Sequence, residues 1–429
     1  MKVLVVGSGG REHALAWKVS QSPKVSKIYC APGNAGMASI GECVNIKVMD
    51  IPALVSLATK KAIDLVIVGP ESPLIAGLAD ELRAAGIPTF GPSKAAAQIE
   101  GSKVFSKNLF AKYGIPTAAF LTFDDPEAAS AYIEEVAGGS DELPIVVKAE
   151  GEALGKGVLM CSTKSQALSA VKTIMVDRAF GQAGDRVVIE EMLEGQEATL
   201  MVITDGTSVL PLQPAQDYKR AYDNDEGLNT GGMGCYSPVP VVPPEVYDEC
   251  LRRCILPTIR AMKAEGRPYT GALYCGIMLT KDGPKVIEFN ARFGDPETQV
   301  ALPLLETDLI DVIQASLSGS LDSVETKCYN GAAVCVVVAS GGYPGSYETG
   351  KPISGLDAAG SIEGVTVFHA GTRLDDGKVV TSGGRVLGVT GVGDSFRSAR
   401  DRAYSAVDRI HFEGMHYRTD IAERVIRDS

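Results

Sequence analysis

No run of this 429-residue sequence is apolar for long enough to span a bilayer, and no basic tract interrupts it. The first absence argues against a membrane partner. The second, with a formal charge of −12, argues against nucleic acid or an anionic surface. The nine cysteines never form Cys-x-x-Cys. An odd, scattered set argues against a disulfide framework and for a reducing, cytoplasmic compartment. Cys250 and Cys254, four apart in a helical stretch, read as two thiols on one helix face. Histidine is scarce at four. His411 and His416 fit no zinc spacing and are expected to be structural. Internal repeats and low-complexity tracts are absent. The start, M-K-V-L-V-V-G-S-G-G, shows no cleavage pattern and reads as a first strand.

Glycine, by contrast, is abundant at 47 residues, often clustered after apolar runs where backbone turns sharply or approaches a ligand. Hydrophobic residues at 45% and charged residues at 22% give a globular composition. The length allows roughly two to four domains.

Residues 1 to about 100 alternate short apolar runs with helical stretches. The runs are Val3–Val6, Lys27–Cys30, Leu65–Val68 and Pro88–Phe90. This pattern predicts βαβ units and a parallel sheet, with the loops G-S-G-G-R-E-H, A-P-G-N-A-G, G-P-E-S-P-L and G-P-S-K on one edge. A dinucleotide fingerprint fails. Glu12 stands where G-x-G-x-x-G needs Gly, and no acidic residue ends the second run. Gly9, Gly10, Gly33 and Asn34 either present backbone N–H groups to a phosphate or form tight turns.

Further on, P-I-V-V-K-A-E-G-E-A-L-G-K-G-V runs from Pro144 to Val158. A strand delivers Lys148, a glycine-rich turn spans Gly151, Gly155, Lys156 and Gly157, and a second strand follows. Its glycine spacing excludes a Walker A loop, and no kinase signature accompanies it. The alternatives are a lid over a triphosphate and an ordinary glycine hairpin. The run R-V-V-I-E-E-M-L ends in Glu190 and Glu191 and offers either a nucleoside site or an acidic turn. The segment Gln216 to Pro238 reads as a long polar loop, and such loops are functional or disordered.

The stretch K-V-I-E-F-N-A-R-F-G-D-P-E, Lys285 to Glu297, carries the most chemistry. Strict alternation puts Val286, Glu288, Asn290 and Arg292 on one face, and Ile287, Phe289 and Ala291 on the other. Oxygen ligands such as Glu288 and Asn290 suit Mg²⁺ shared with phosphates. Arg292 suits a carboxylate or phosphate. The other reading is a charged ladder on a solvated edge. Beyond about residue 325 the chain turns rich in Val, Gly and Thr, which predicts a small separate domain.

Four blocks in order, V-K-A-E-G-E-A-L-G-K-G-V, I-E-E-M-L-E-G-Q-E, N-T-G-G-M-G-C-Y-S-P and V-I-E-F-N-A-R-F-G-D-P-E, resemble the ATP-grasp superfamily. With G-S-G-G-R-E-H-A-L-A-W, V-G-P-E-S-P-L, G-S-K and A-S-G-G-Y-P-G, the whole chain is similar to the phosphoribosylamine–glycine ligase family. The resemblance implies an α/β and α+β multidomain protein. Its expected parts are a Rossmann-like parallel sheet (1–101), an ATP-grasp domain (102–325) with a mobile lid at about 122–190, and a C-terminal β-rich, barrel-like domain (326–429). It also implies ATP, glycine and phosphoribosylamine as small-molecule partners, a glycyl phosphate intermediate, Mg²⁺ or Mn²⁺, and a monomer or weak homodimer.

By the same resemblance, Arg292, Lys148 and Asp217 form the catalytic set. Lys103, Lys148 and the 151–157 loop hold ATP phosphates. Glu190, Glu191, Met192 and Leu193 line the adenine, and Glu197 takes the ribose. Gly9, Gly10, Asn34, Glu71, Asp217, Lys219 and Arg292 face the substrates, and Asp295 and Glu297 brace the turn. Glu288 and Asn290 hold the metal. A sister ATP-grasp ligase or an inactive ATP-grasp-like binder would share most of these residues. The chain departs from the family at Glu150, Glu152 and Leu154, at Tyr218 where the family has His, and at Ala422 where it has Gly.

Overall fold

The computed structural model describes residues 1–151 and 157–427. Five short strands open the chain: β1 (Lys2–Gly7), β2 (Lys27–Pro32), β3 (Glu42–Cys43), β4 (Leu65–Val68) and β5 (Thr89–Phe90). They form a parallel sheet in the order β3-β2-β1-β4-β5. Leu4 and Val6 enter one apolar core, and Val3 and Val5 enter another. Burial on both faces is why these runs are continuous and not alternating. β3 has only two residues and leaves no periodic signal.

The glycines around the first turn make room for a carboxylate. A Cβ on Gly7 would lie 2.3 Å from Glu12 Cγ, and one on Gly69 would lie 2.2 Å from Glu12 Oε1. Glu12 accepts the Gly9 N–H at 2.6 Å and so caps the helix Gly10–Ser20.

The second unit is antiparallel: β6 (Phe120–Phe123), β7 (Glu142–Ala149), β8 (Val158–Thr163) and β9 (Val187–Glu191) run in the order β6-β9-β7-β8. Helices Pro126–Ala137 and Lys164–Val171 cover it, and residues such as Ile133, Val147, Ile174 and Ile189 give it a core of its own.

Next come β10 (Gln196–Thr204) and β11 (Val209–Pro211). The segment expected to be a long polar loop is instead largely structured. It contains β12 (Gln216–Asp217), β13 (Arg220–Tyr222), β14 (Glu226–Asn229) and β15 (Gly234–Ser237). Strands of two to four residues are too short to show a period, so the sequence conceals them. β16 (Gly271–Thr280) and β17 (Gly283–Asn290) then complete a four-stranded sheet, β11-β10-β16-β17.

The last strands are β18 (Ala332–Ser340), β19 (Val365–His369), β20 (Thr372–Asp375), β21 (Lys378–Thr381), β22 (Arg385–Gly393) and β23 (Met415–His416). The main sheet runs β12-β15-β18-β22-β19, with β23 also on β18, and β20 and β21 pair apart as a two-stranded ribbon. The composition changes near 325, but hydrogen bonding crosses that point through β15 and β18. The helix Phe396–Val407, capped by Ser395, packs on β22. Among the described residues, no helix is long and apolar enough to cross a membrane.

Candidate active site

The row of polar side chains on β17 is real, but its phase shifts midway. The β16–β17 register jumps between Gly276–Glu288 and Ile277–Val286, a bulge at Ile287. The extra residue reverses the faces on either side of it. Val286 therefore lies in the core with Phe289 and Ala291, and Ile287 joins Glu288, Asn290 and Arg292 at a cleft. The expectation that Val286 shares the polar face is corrected by that bulge.

The cleft, of about 590 Å³, is bounded by the N-terminal sheet edge, the helix Lys103–Tyr113, the β7–β9 unit and β17. Lys103 and Lys107 stand one helical turn apart and both reach it. Ser102 caps the helix and accepts the Phe105 N–H at 3.0 Å. Glu150 ties down the same end. It accepts from Ser102 Oγ at 2.5 Å and Val104 N–H at 3.2 Å, and pairs with Arg186 at 3.2 Å. Its charge is thereby matched inside the protein and not aimed at a phosphate. Glu152, Leu154, Gly155 and Lys156 lie outside the described residues. Gly151 and Gly157 line the cleft, and the Gly151 carbonyl accepts from Lys103 Nζ at 3.0 Å.

Lys148 comes from β7, where the register pairs Val146 with Glu190 and Lys148 with Val188. Lys148 and Glu190 are thus diagonal on one face. Glu190 is 4% exposed and sits between Lys148 at 2.8 Å and Lys107 at 3.0 Å. The Glu190 carboxylate is matched by those two cations, as a buried charge requires, and the residue lines the cleft. Burial pushes Lys107 down to about 8 against the pull of Glu190. Burial, with the Lys148 charge adding to it, also lowers Lys103. Glu191 accepts the Ala119 N–H at 3.0 Å and pairs with Lys285 at 2.9 Å. Glu191 and Leu193 reach the cleft, whereas Met192 is not part of its lining.

Burial at the cleft wall raises the Glu288 carboxyl, but Lys219, Lys148 and Lys103 outweigh it and hold it below its usual range. Asn290 Nδ2 lies 3.4 Å from Glu288 Oε1. Among the described residues, no three His, Cys, Asp or Glu side chains converge to hold a cation alone. One carboxylate and one amide oxygen beside converging lysines fit a magnesium ion that completes its shell on nucleotide phosphates. Glu197 pairs with Lys219, and Lys219 lies 3.7 Å from Asp217. Tyr218 between them is buried away from the cleft.

Arg292 lies between two carboxylates, Glu71 at 3.0 Å and Glu100 at 3.4 Å. Their environments separate them. Burial raises Glu71, but Arg292 and Arg11 outweigh it and bring the carboxyl down to about 2. Glu100 is raised by burial to about 7. Glu297, buried and 3.3 Å from Thr199 Oγ1, is raised to about 7 by burial and by Asp217. Asp295 pairs with Arg385 of β22 at 3.3 Å and accepts from Gln299 at 2.8 Å.

Gly9, Gly10 and Asn34 do not line this cleft. The Gly9 amide already binds Glu12, and a Cβ on Gly10 would meet Gln299 Nε2 at 2.6 Å. Asn34 donates to Ser8 and His369 carbonyls at 2.9 and 2.8 Å and accepts from Met37 at 2.9 Å. Its amide thus holds the loop. Sequence reasoning also missed Arg11, Glu100, Lys107, Tyr343 and Arg385 at the cleft. Arg11 in G-G-R-E-H, Glu100 beside G-S-K and Lys107 four after Lys103 were legible. Arg385 arrives from a distant strand and carries no local mark.

Models of the phosphoribosylglycinamide synthetase N domain, ATP-grasp (A) domain and C domain match residues 1–100, 101–298 and 333–424. A phosphoribosylamine–glycine ligase of Vibrio cholerae is 52% identical over 429 residues, covering 99% of each chain. The crystal structure of phosphoribosylamine–glycine ligase from Thermotoga maritima superposes with TM-score 0.84 at 34% identity, covering 98% of this chain and 100% of that one. The biotin carboxylase domain of a Hydrogenobacter thermophilus 2-oxoglutarate carboxylase, solved with MgADP, shares the fold at TM-score 0.71 and 17% identity, covering 97% and 91%. Sequence and fold agree end to end: this chain belongs to the phosphoribosylamine–glycine ligase family.

Proposed function

We propose that the chain couples ATP cleavage to amide formation between glycine and phosphoribosylamine. The products are glycinamide ribonucleotide, ADP and phosphate, a step of purine biosynthesis carried out in the cytoplasm. The observation that carries this reading is the set of groups gathered in one cleft. Lys103, Lys148, Glu288, Asn290 and Arg292, with Glu71 and Glu100, all line it. Cations suited to a polyphosphate thus share the cleft with a guanidinium suited to a carboxylate.

Glycine enters as a carboxylate and needs no base to become a nucleophile toward the γ-phosphorus. It needs positioning and charge balance. Arg292 holds the carboxylate, while Lys103 and Lys148 hold the phosphates as charge moves onto them. Glu288 and Asn290 would hold Mg²⁺ or Mn²⁺, which supplies charge neutralisation at the phosphates when bound. The acyl phosphate so formed is attacked at its carbonyl by the amine of phosphoribosylamine, and phosphate leaves. That amine must lose a proton. Glu297, with a carboxyl near 7 in the cleft, has the basicity to take it at neutral pH. Arg11 and Arg385 offer positive charge for the acceptor's phosphate. Ile287, Leu193 and Phe110 offer apolar surface for the adenine.

An ADP-release assay tests the reading. ADP should form only with glycine and phosphoribosylamine together, and Glu288→Ala should abolish turnover. Turnover with a different carboxylate, but none with glycine, would overturn it.

A further inference from the structure

Two thiols on the N-terminal sheet are placed for chemistry that the ligase reaction does not use. Cys30 on β2 and Cys43 on β3 are direct partners in the parallel register. Neighbouring strands run roughly 4.8 Å apart, and paired residues project to the same face. That spacing lies within the roughly 4.4–6.8 Å Cα separation of disulfides. Cys43 Sγ reaches the Asn34 carbonyl at 3.7 Å, and the two thiols act on each other's titration through a shared hydrogen bond. They are unequal: Cys30 is buried and Cys43 exposed. Every other cysteine is buried, or in the case of Cys328 partly buried.

The shared hydrogen bond sharpens the inequality. Donation from Cys30, working against burial, brings the Cys43 thiol down to about 7. The same bond, with burial, pushes Cys30 well up. The exposed member is therefore substantially thiolate at neutral pH, and the buried one stays protonated beside it. Backbone packing keeps the sulfurs together. A Cβ on Gly33 would lie 2.5 Å from Cys43 Sγ and 3.0 Å from Cys30 Cβ, so only glycine fits against the pair.

We propose that Cys43 and Cys30 are a peroxide-reactive pair, Cys43 attacking and Cys30 resolving, that closes to an intramolecular disulfide. The Cys43 thiolate attacks one oxygen of hydrogen peroxide, the O–O bond breaks, and hydroxide leaves a sulfenic acid. Cys30 sulfur then attacks the Cys43 sulfur. The S–S bond forms, the S–O bond breaks, and the departing hydroxide takes the Cys30 proton as water. Overall, two thiols are oxidised and one peroxide is reduced to two waters.

Both cysteines fall in one tryptic peptide, residues 28–47, so mass spectrometry reads the outcome on the full-length protein. With limiting alkylating agent at about pH 7, Cys43 is expected to react before Cys328. After hydrogen peroxide, the 28–47 peptide should be two hydrogens lighter and refuse the alkylating agent until dithiothreitol restores it. In Cys30→Ala, Cys43 should instead accumulate as a sulfenic acid trapped by dimedone. Cys43→Ser should abolish both signals. Two alkylatable thiols in that peptide after peroxide treatment of the wild type would overturn the proposal, whatever the variants do. A Cys43-linked dimer on a non-reducing gel would also overturn it.

Discussion

The Ala422 N–H donates to the phenolic oxygen of Tyr218 at 3.0 Å. Both positions were singled out in the sequence, and the structure makes them one contact. Arg418 lies over the Tyr218 ring at 4.8 Å, itself paired with Asp420 at 2.6 Å. Ala422 has φ +62°, a left-handed conformation in which its Cβ is crowded. Ala422→Gly should raise stability by about 1 kcal/mol. Tyr218→Phe should lower it by about 1–2 kcal/mol, because a buried N–H loses its acceptor. Denaturant midpoints check both. Unchanged turnover in both variants is expected, since neither side chain reaches the cleft.

Glu190 joins two lysines that would otherwise repel. Glu190→Gln should cost about 3–5 kcal/mol, the usual penalty for breaking a buried charge pair. Without its charge, Lys107 falls further below 8 and releases its proton near neutrality. The KM for ATP should rise at least tenfold while the glycine KM stays put. A KM for ATP equal to wild type would show that Lys148 needs no such support.

Glu100 and Arg292 link glycine binding to pH. A carboxylate arriving at Arg292 adds negative charge beside Glu100 and raises its affinity for a proton. Glycine then binds best with Glu100 protonated, which holds below about 7. The glycine KM should climb, by up to tenfold per unit, as pH rises above that value. Glu100→Gln should flatten the profile, and steady-state kinetics at saturating ATP would record it.

Glu297 should leave its mark on the opposite limb. As a base with a carboxyl near 7, it is charged above that pH and idle below it. Turnover should fall as pH drops through about 7. Glu297→Gln should lose about 10²–10⁴ in kcat together with that limb.

His13 and His369 pack against each other, with ring centroids 5.6 Å apart. His13 Nδ1 accepts the His369 N–H at 2.7 Å. Burial lowers both, His13 to about 3 with help from His369, and His369 to about 4. Unfolded histidine titrates near 6.5. Between these values the unfolded chain binds more protons, so stability falls as pH drops from about 6.5 toward 4. Urea midpoints across that range should show the loss, and His369→Gln should reduce its slope.

Much of the fold was legible because it rests on local signals. Continuous apolar runs marked the parallel strands, and Gly-rich turns marked their ends. Lys148, Glu288, Asn290 and Arg292 were legible because one or two strands carry them all to one place. The face assignment of Val286 was not, since a single-residue bulge leaves the composition of a strand unchanged. The loop contacts of Asn34 were not legible, because an amide in a glycine loop suits a ligand and a loop carbonyl equally. Arg385 reaches the cleft only through tertiary packing, and nothing near it in sequence records it.

The pairing of β15 with β18 has a practical meaning. A cut near residue 325 would leave each piece with an exposed edge that the other is shaped to cover. Made separately, the pieces would be sticky and incomplete. Made together, they would find each other along that edge, giving a split protein whose recovered ligase activity reports the reunion.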